Sequence, residues 1–308
     1  MRTIRSAALL AALAQIAQAQ PTLYGLSFDG KLITINTATG AGTLVGNTGL
    51  SSCDAMSADP SGRLFAVSAN DDLYRIDASS ACAALIGDVS QVEYVEELAF
   101  SPAGILFAAG SANADVGAER LITIDPSTGQ SATVGLFGVA HDVDAMAWFP
   151  DDGMLYGSDL TLGAWLRISP VTGAAVNLGP QPNFLYALAV SPSGVLYATA
   201  HTSGGGSPST LVTVDRLSGA ATVVGAVGFD TVAGLAFASP PAPVPGDANC
   251  DGHADILDIN AFVAAIIDPA QYALLYPCCP LANADINGDG HVDVIDINPF
   301  VALLLGRS

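Results

Sequence analysis

The chain is poor in positive charge. Its 308 residues include a single lysine, Lys31, and nine Lys plus Arg against 29 Asp plus Glu, for a net charge of −20. Nucleic acid and anionic membrane surfaces both call for clustered Lys and Arg, so neither is an expected partner. Charged residues of either sign make up only 12% of the chain, while 51% is hydrophobic. That excludes the charge-rich, apolar-poor composition of a disordered protein. Long apolar runs are lacking as well. The stretches from Ala7 to Ala14 and from Phe300 to Leu305 fall short of the about 20 residues a membrane span needs. There is no G-x-S-x-G, H-E-x-x-H, P-loop or C-x-x-C pattern, so the common signatures of serine hydrolases, zinc peptidases, nucleotide binding and zinc or dithiol chemistry are all missing.

What is present begins with a leader. Arg2 and Arg5 precede an Ala/Leu run that ends in the small-x-small triplet Ala17-Gln18-Ala19. This predicts a signal peptide over residues 1–19 and a secreted, extracellular protein. Export permits disulfides. Of the five cysteines, Cys53, Cys82, Cys250, Cys278 and Cys279, an odd count leaves one over. We expect Cys250 to pair with Cys279 or Cys278. A Cys53–Cys82 bridge is a second candidate, because both lie in one repeat.

Internal repeats decide the fold class. A Leu–aromatic pair recurs at Leu23-Tyr24, Leu64-Phe65, Leu106-Phe107, Leu155-Tyr156 and Leu196-Tyr197. Each is followed by an alternating strand such as Leu32-Ile-Thr-Ile35 or Leu121-Ile-Thr-Ile124, in most repeats by a Thr-Gly or Ser-Gly turn, and then by an apolar–Gly pair. Short runs of period two separated by glycine turns are hairpins, and four strands in about 45 residues make one propeller blade. Inner strands read as Met56-Ser-Ala58, Leu98-Ala-Phe100, Met146-Ala-Trp148 and Leu188-Ala-Val190. The first repeat lacks its own, and the missing copy, Leu235-Ala-Phe237, stands after the last. The prediction is a five-bladed β-propeller over residues 20–238, closed by its C-terminal strand so that no edge is left unpaired. A Pro-rich linker follows over residues 239–245.

Residues 246–308 carry the strongest motif, and carry it twice. Asp247, Asn249, Asp251, His253, Asp255 and Asp258 fall at positions 1, 3, 5, 7, 9 and 12 of one loop. Asp285, Asn287, Asp289, His291, Asp293 and Asp296 repeat them. Gly252 and Gly290 hold position 6. Hard oxygen donors at these intervals, with glycine at the sharp turn, are the layout of a calcium loop, in which position 7 gives its backbone carbonyl. Each loop runs into an amphipathic helix. Ile259, Phe262, Val263, Ile266 and Ile267 form one apolar face, and Ile297, Phe300, Val301, Leu304 and Leu305 the other, expected to pack on each other.

On these residues the segment resembles a dockerin, the duplicated calcium module of bacterial secreted proteins. The resemblance implies a small all-α module that binds two calcium ions and docks onto a cohesin-like protein or another extracellular partner. This chain departs from the pattern in two respects. Its repeat period is 38 residues, with an insert from Asp268 to Ala284 that contains cysteine. Positions 10 and 11 are the apolar pairs Ile256-Leu257 and Val294-Ile295, where cohesin-binding members commonly carry polar pairs.

Aligning the propeller repeats puts Asp54, Glu96, Asp144, Tyr186 and Ala233 at one position, just before the inner strand. Ringed carboxylates at one mouth of the channel raise each other's pKa values or hold a cation. They are compatible with a structural cation or watery channel mouth, a ligand site for a carbohydrate, or a hydrolytic site with Asp54, Glu96 and Asp144 as the candidate carboxylates. Other features read as structure: His141 beside Asp142 as a surface turn, His201 before Thr202–Ser207 as a hairpin loop, and Trp148 and Trp165 as packing between blades. The leading expectation is a secreted, non-catalytic binding or display protein. The alternatives are a tethered carbohydrate-active hydrolase and a purely structural secreted protein.

Overall fold

The computed structural model describes residues 21–68, 70–89, 93–111, 119–139, 142–181, 183–201, 208–239, 244–276 and 278–306. The leader, His141, the Thr202–Ser207 loop and residues 240–243 of the linker lie outside the described residues.

The β region is a five-bladed propeller. The first blade opens with β1 (Thr22–Ser27), β2 (Lys31–Ile35) and β3 (Gly42–Asn47). The second holds β4 (Ala55–Ala58), β5 (Leu64–Val67), β6 (Asp72–Ile76) and β7 (Ala83–Asp88). The third holds β8 (Glu93–Phe100), β9 (Leu106–Ser111), β10 (Arg120–Ile124) and β11 (Ser131–Leu136). The fourth holds β12 (Val143–Phe149), β13 (Met154–Asp159), β14 (Ala164–Ile168) and β15 (Ala175–Pro180). The fifth holds β16 (Phe184–Val190), β17 (Leu196–His201), β18 (Pro208–Val214) and β19 (Ala221–Asp230). The chain then returns as β20 (Val232–Ala238), which pairs antiparallel with β1 and completes the first blade. Inner strands meet around the axis in the order β20, β4, β8, β12, β16 and back to β20.

Blades join through two layers. Near the axis, the aromatic of a Leu–aromatic pair meets the next inner strand: Phe65 lies 5.2 Å from Phe100, Phe107 5.7 Å from Trp148, and Tyr197 5.7 Å from Phe237, ring centre to ring centre. Trp165 is fully buried and donates its indole N–H to Arg216 O at 2.7 Å. At the rim, the apolar–Gly pair of one blade lies on the Thr-Gly turn of the next. A Cβ on Gly135 would sit 2.1 Å from Thr172 O, one on Gly87 2.3 Å from Thr128 O, and one on Gly225 2.0 Å from Thr39 O. Only glycine permits such backbone approach. The turns are held from within, as where the Asp77 carboxylate takes the N–H groups of Ser79 and Ser80 at 3.0 and 2.7 Å.

The C-terminal region contains three short helices, α1 (Ile259–Ile267), α2 (Pro269–Leu275) and α3 (Ile297–Leu304), with 3-10 turns over Ile256–Asp258, Leu281–Ala284 and Val294–Asp296. The Asp268 side chain caps Gln271 N–H and starts α2, which the sequence pattern did not single out. Phe262 and Phe300 stack at 4.1 Å over a small core that includes Ala248, Ala261, Tyr272 and Ala284. Mutual helix packing is narrower than the apolar spacing predicts. Ile259, Val263, Ile267, Ile297, Val301 and Leu305 are all exposed.

Two disulfides form, Cys250–Cys279 and Cys82–Cys278. The first is one of the expected pairs. The second overturns the Cys53–Cys82 expectation and ties the helical region to the β6–β7 turn. Cys53 is fully buried and unbridged. It occupies the repeat position held elsewhere by Val95, Val143, Leu185 and Val232, all at most 2% exposed. Cys53 therefore serves as a core side chain rather than a staple. Burial, with Asp54 and Asp29 nearby, pushes its thiol up to about 12.

Gly135→Ala should lower stability by about 1–3 kcal/mol, the cost of overpacking a close contact. Thermal unfolding of the variant beside the parent measures it, with an unchanged Tm counting against the glycine joints as close-packed.

Candidate functional site

The structure brings Asp54, Glu96, Asp144, Tyr186 and Ala233 to the wall of one cavity of about 250 Å³ at the axis, joined by Asp71, Tyr94 and Val95. The backbone explains why they converge. In the β8–β9, β12–β13, β16–β17 and β20–β1 pairings the register slips by one residue across Val95/Glu97, Val143/Ala145, Leu185/Ala187 and Val232/Gly234. Glu96, Asp144, Tyr186 and Ala233 are the extra residues of four β-bulges. A bulge removes one residue from the in–out alternation and re-aims its side chain, here into the cup.

A second set of residues holds these bulges in place, and the inner-strand alignment misses it. Asp71 takes the N–H groups of Tyr94 and Val95 at 3.1 and 2.8 Å. Glu119 Oε2 takes that of Val143 at 2.9 Å, and Ser209 Oγ that of Val232 at 2.8 Å. All three acceptors stand two residues before the first large apolar residue of their blade's third strand, Leu73, Leu121 and Leu211. Aligning third strands as well as inner strands reveals them. Three of the five blades, the second, third and fifth, thus fix the residue immediately before the next blade's cup residue.

The cup is electrostatically frustrated. Desolvation, then repulsion from Glu96 and Asp71, raises Asp54 to about 6. Desolvation, then repulsion from Asp142 and Glu96, raises Asp144 to about 9. Glu119, 3% exposed, faces Glu96; burial first and the Glu96 carboxyl second raise it to about 10, and burial raises Glu96 as well. Glu97 is 1% exposed and raised well above the usual range by burial. Its carboxylate takes the backbone N–H groups of Leu98 and Met146, residues of two neighbouring inner strands, and it lies within the field of Asp144 and Asp54. Glu97 Oε2 and Asp144 Oδ2 are buried without a hydrogen-bond partner. One carboxyl ionising near 6 beside another near 9 supplies an acid and a base together, and the uncompensated oxygens also suit a cation.

Other sequence candidates are placed differently. His201 is a buried residue at the end of β17, 4.4 Å from the Tyr186 ring and 3.4 Å from Ser209 Oγ, where the sequence suggests a loop. Asp142 accepts Thr161 Oγ1–H at 2.6 Å.

The two twelve-residue loops are built alike. Gly252 N–H donates to Asp247 Oδ2 at 3.1 Å, and Gly290 N–H to Asp285 Oδ2 at 2.8 Å. Position 5 N–H donates to the Asn249 and Asn287 side chains, and position 7 N–H to Asp251 and Asp289. Fully buried Asp258 and Asp296 each close their loop by accepting the N–H groups of positions 3 and 9. Position 4 is left-handed in both, as Cys250 with φ 59° and Gly288 with φ 73°. The Cys250–Cys279 bridge anchors the strained residue that glycine supplies in the second loop. His253 and His291 are exposed. Asp247 Oδ1 is buried without a partner, and the other donors are oxygens, so the set fits calcium. Among the described residues no three His, Cys, Asp or Glu side chains converge on one point.

The loops differ in their surroundings. Arg75 of β6 lies within the field of Asp247 and Asp251, and a Cβ on Gly252 would meet Arg63 Nη1 at 3.2 Å. No described residue of the propeller is seen to flank the second loop in this way.

No protein-family model matches the chain, and no curated protein matches it. Among solved structures it is similar to a chain of a nidogen/laminin complex, at 10% identity over 73% of this chain and 100% of that one, with a TM-score of 0.51. It is also similar to a calcium-binding regucalcin from Agrobacterium tumefaciens, at 14% identity over 72% and 76% with a TM-score of 0.46. A putative gluconolactonase matches at 14% identity over 73% and 88%, with a TM-score of 0.45. At such identities the likeness is one of propeller fold alone.

The raised carboxyls keep protons in the folded chain that the unfolded chain releases. Their contribution to stability is therefore full below the ordinary carboxylate range near 4 and is lost as pH rises toward 9. In saturating calcium, Tm should fall from about pH 5 to about pH 8. Asp144→Asn should flatten that slope and raise Tm at the upper end; an unchanged slope would mean Asp144 is not buried in the acidic cup.

Proposed function

We propose that this is a secreted, non-catalytic binding protein whose dockerin-like C-terminal module binds two calcium ions and docks the propeller onto an extracellular partner. The observation that carries this reading is the duplicated loop: two twelve-residue segments with the same donors, the same glycine-to-position-1 hydrogen bond and the same buried closing aspartate. Asp247, Asn249, Asp251, Asp255 and Asp258 would hold one ion with the His253 carbonyl, and Asp285, Asn287, Asp289, Asp293 and Asp296 the other with the His291 carbonyl. The carboxylates belong to short side chains on one continuous loop, so modest rotations turn them from backbone N–H groups to an ion. Bound calcium supplies the positive charge that opposes carboxylate repulsion and stiffens the loops.

The docking half of the proposal draws support from what the helices leave uncovered. Ile256, Leu257, Val294 and Ile295, at positions 10 and 11 of both loops, are each more than 60% exposed. Exposed apolar pairs repeated in this way support an interaction surface. The partner such residues suit presents an apolar face, which separates it from partners that read polar pairs at these positions. Export is supported by two disulfides. Among the described residues no helix is long and apolar enough to cross a membrane.

Calorimetric titration of the metal-stripped chain with calcium should give two ions per chain, and Asp285→Ala should leave one. Chelation should remove the helical far-ultraviolet signal while the β signal persists, because binding energy here is folding energy. A flat titration, or a helical signal indifferent to chelator, would refute the calcium reading.

A further inference from the structure

We propose that the axial cup is a binding site for an alkylammonium group, the chemistry shared by a lysine side chain, an aliphatic diamine and an amino sugar. Its charge, its room and its wall all suit such a group. Four carboxyl residues, Asp54, Asp71, Glu96 and Asp144, line the cavity, and among the described residues no Lys, Arg or His lines it with them. Glu97, the residue after Glu96, is 1% exposed, keeps Oε2 without a partner and lies within the field of Asp54 and Asp144. Asp144 Oδ2, also buried, is unsatisfied in the same way. Buried acceptors without donors are costly, and an ammonium brings three donors and a positive charge.

The room selects the kind of cation. The cavity holds about 250 Å³, whereas a bare metal ion draws its oxygens to within about 2.6 Å. Unlike the flexible carboxylates of one calcium loop, Asp54, Glu96 and Asp144 stand on β4's approach and on β8 and β12 of three blades. The ring fixes their separation, and they do not converge on one point. The wall suits a carbon stem: Tyr94 and Tyr186 line the cavity beside Val95. Tyrosine faces attract cations and pack on methylenes.

This inference gives the binding reading a ligand class, and its test keeps the two apart. The full chain is first saturated with calcium in the calorimeter, which scores the loops independently. It is then titrated with cadaverine, with acetyl-lysine-methylamide carrying a free side-chain amine, with glucosamine, and with pentanol as the uncharged control. We expect heat from at least one amine and none from pentanol, with the tightest amine identifying the source. Glu96→Gln and Asp144→Asn together should weaken binding about thirtyfold or more, the loss seen on removing one side of a desolvated charge pair. Tyr186→Leu should weaken it roughly threefold. The Asn and Gln variants relieve repulsion, so a calcium titration and Tm that match or exceed the parent show that lost binding is not unfolding. No heat from any amine at tens of millimolar, in a chain that still takes up calcium, would overturn the proposal. So would a further divalent ion, beyond those of the loops, whose uptake Asp144→Asn abolishes.

Discussion

The pairing of β20 with β1 is the constraint on which the rest depends. Residues Val232–Ala238 lie against Thr22–Ser27, with Leu235 opposite Gly25 and Phe237 opposite Leu23. Without that pairing β1 would be an open edge, and the five inner strands would have no common axis. With it, each inner strand has a neighbour on both sides. Four bulges at equivalent heights then deliver their extra residues to the wall of one cavity. The acidic cup is therefore a product of closure. Carboxyl groups more than 40 residues apart in sequence are held together against their mutual repulsion by apolar contacts between blades.

That repulsion is tolerated because the scaffold around it is over-determined. Phe65, Phe107 and Tyr197 each seat an aromatic from the neighbouring blade, and three rim joints bring backbone against backbone at glycine. Asp71, Glu119 and Ser209 add a polar contact at the residue before the bulge. Asp71 is itself an acidic residue of the cavity wall, so one of the groups that shape the cup also deepens its charge. In a fold built for stability alone, neutral Ser209 would be the cheaper choice at all three places.

Much of this was legible in the sequence because repeats carry their own alignment. Leu–aromatic pairs, glycine turns and the displaced last strand define the blades, and the same alignment brings Asp54, Glu96 and Asp144 to one level. What escaped is of another kind. A bulge leaves no mark on hydrophobic periodicity, so it did not appear. Asp71 and Glu119 stand just before their strands, where an acidic residue is unremarkable until its acceptor role toward the next blade is known. Cys53 looked like half a disulfide because cysteine type suggests chemistry; its repeat equivalents, Val95, Val143, Leu185 and Val232, point instead to core. Cys82–Cys278 joins positions 196 residues apart, and no local spacing encodes it. The apolar spacing of α1 and α3 predicts core although most of those residues are exposed, since periodicity reports a face and not what covers it.

The Cys82–Cys278 bridge also decides how the molecule bears mechanical load. The peptide chain leaves the propeller directly from β20, the strand that closes the ring. A pull transmitted along the backbone from the C-terminal region would fall on that strand first and peel it from β1, one pair after another. With the bridge in place, tension arriving at Cys278 passes into the β6–β7 turn of the second blade, behind a whole four-stranded sheet. The closing strand is left slack. Shear between the C-terminal region and the propeller is then carried by a covalent link, and the weakest seam of the ring lies outside the line of force.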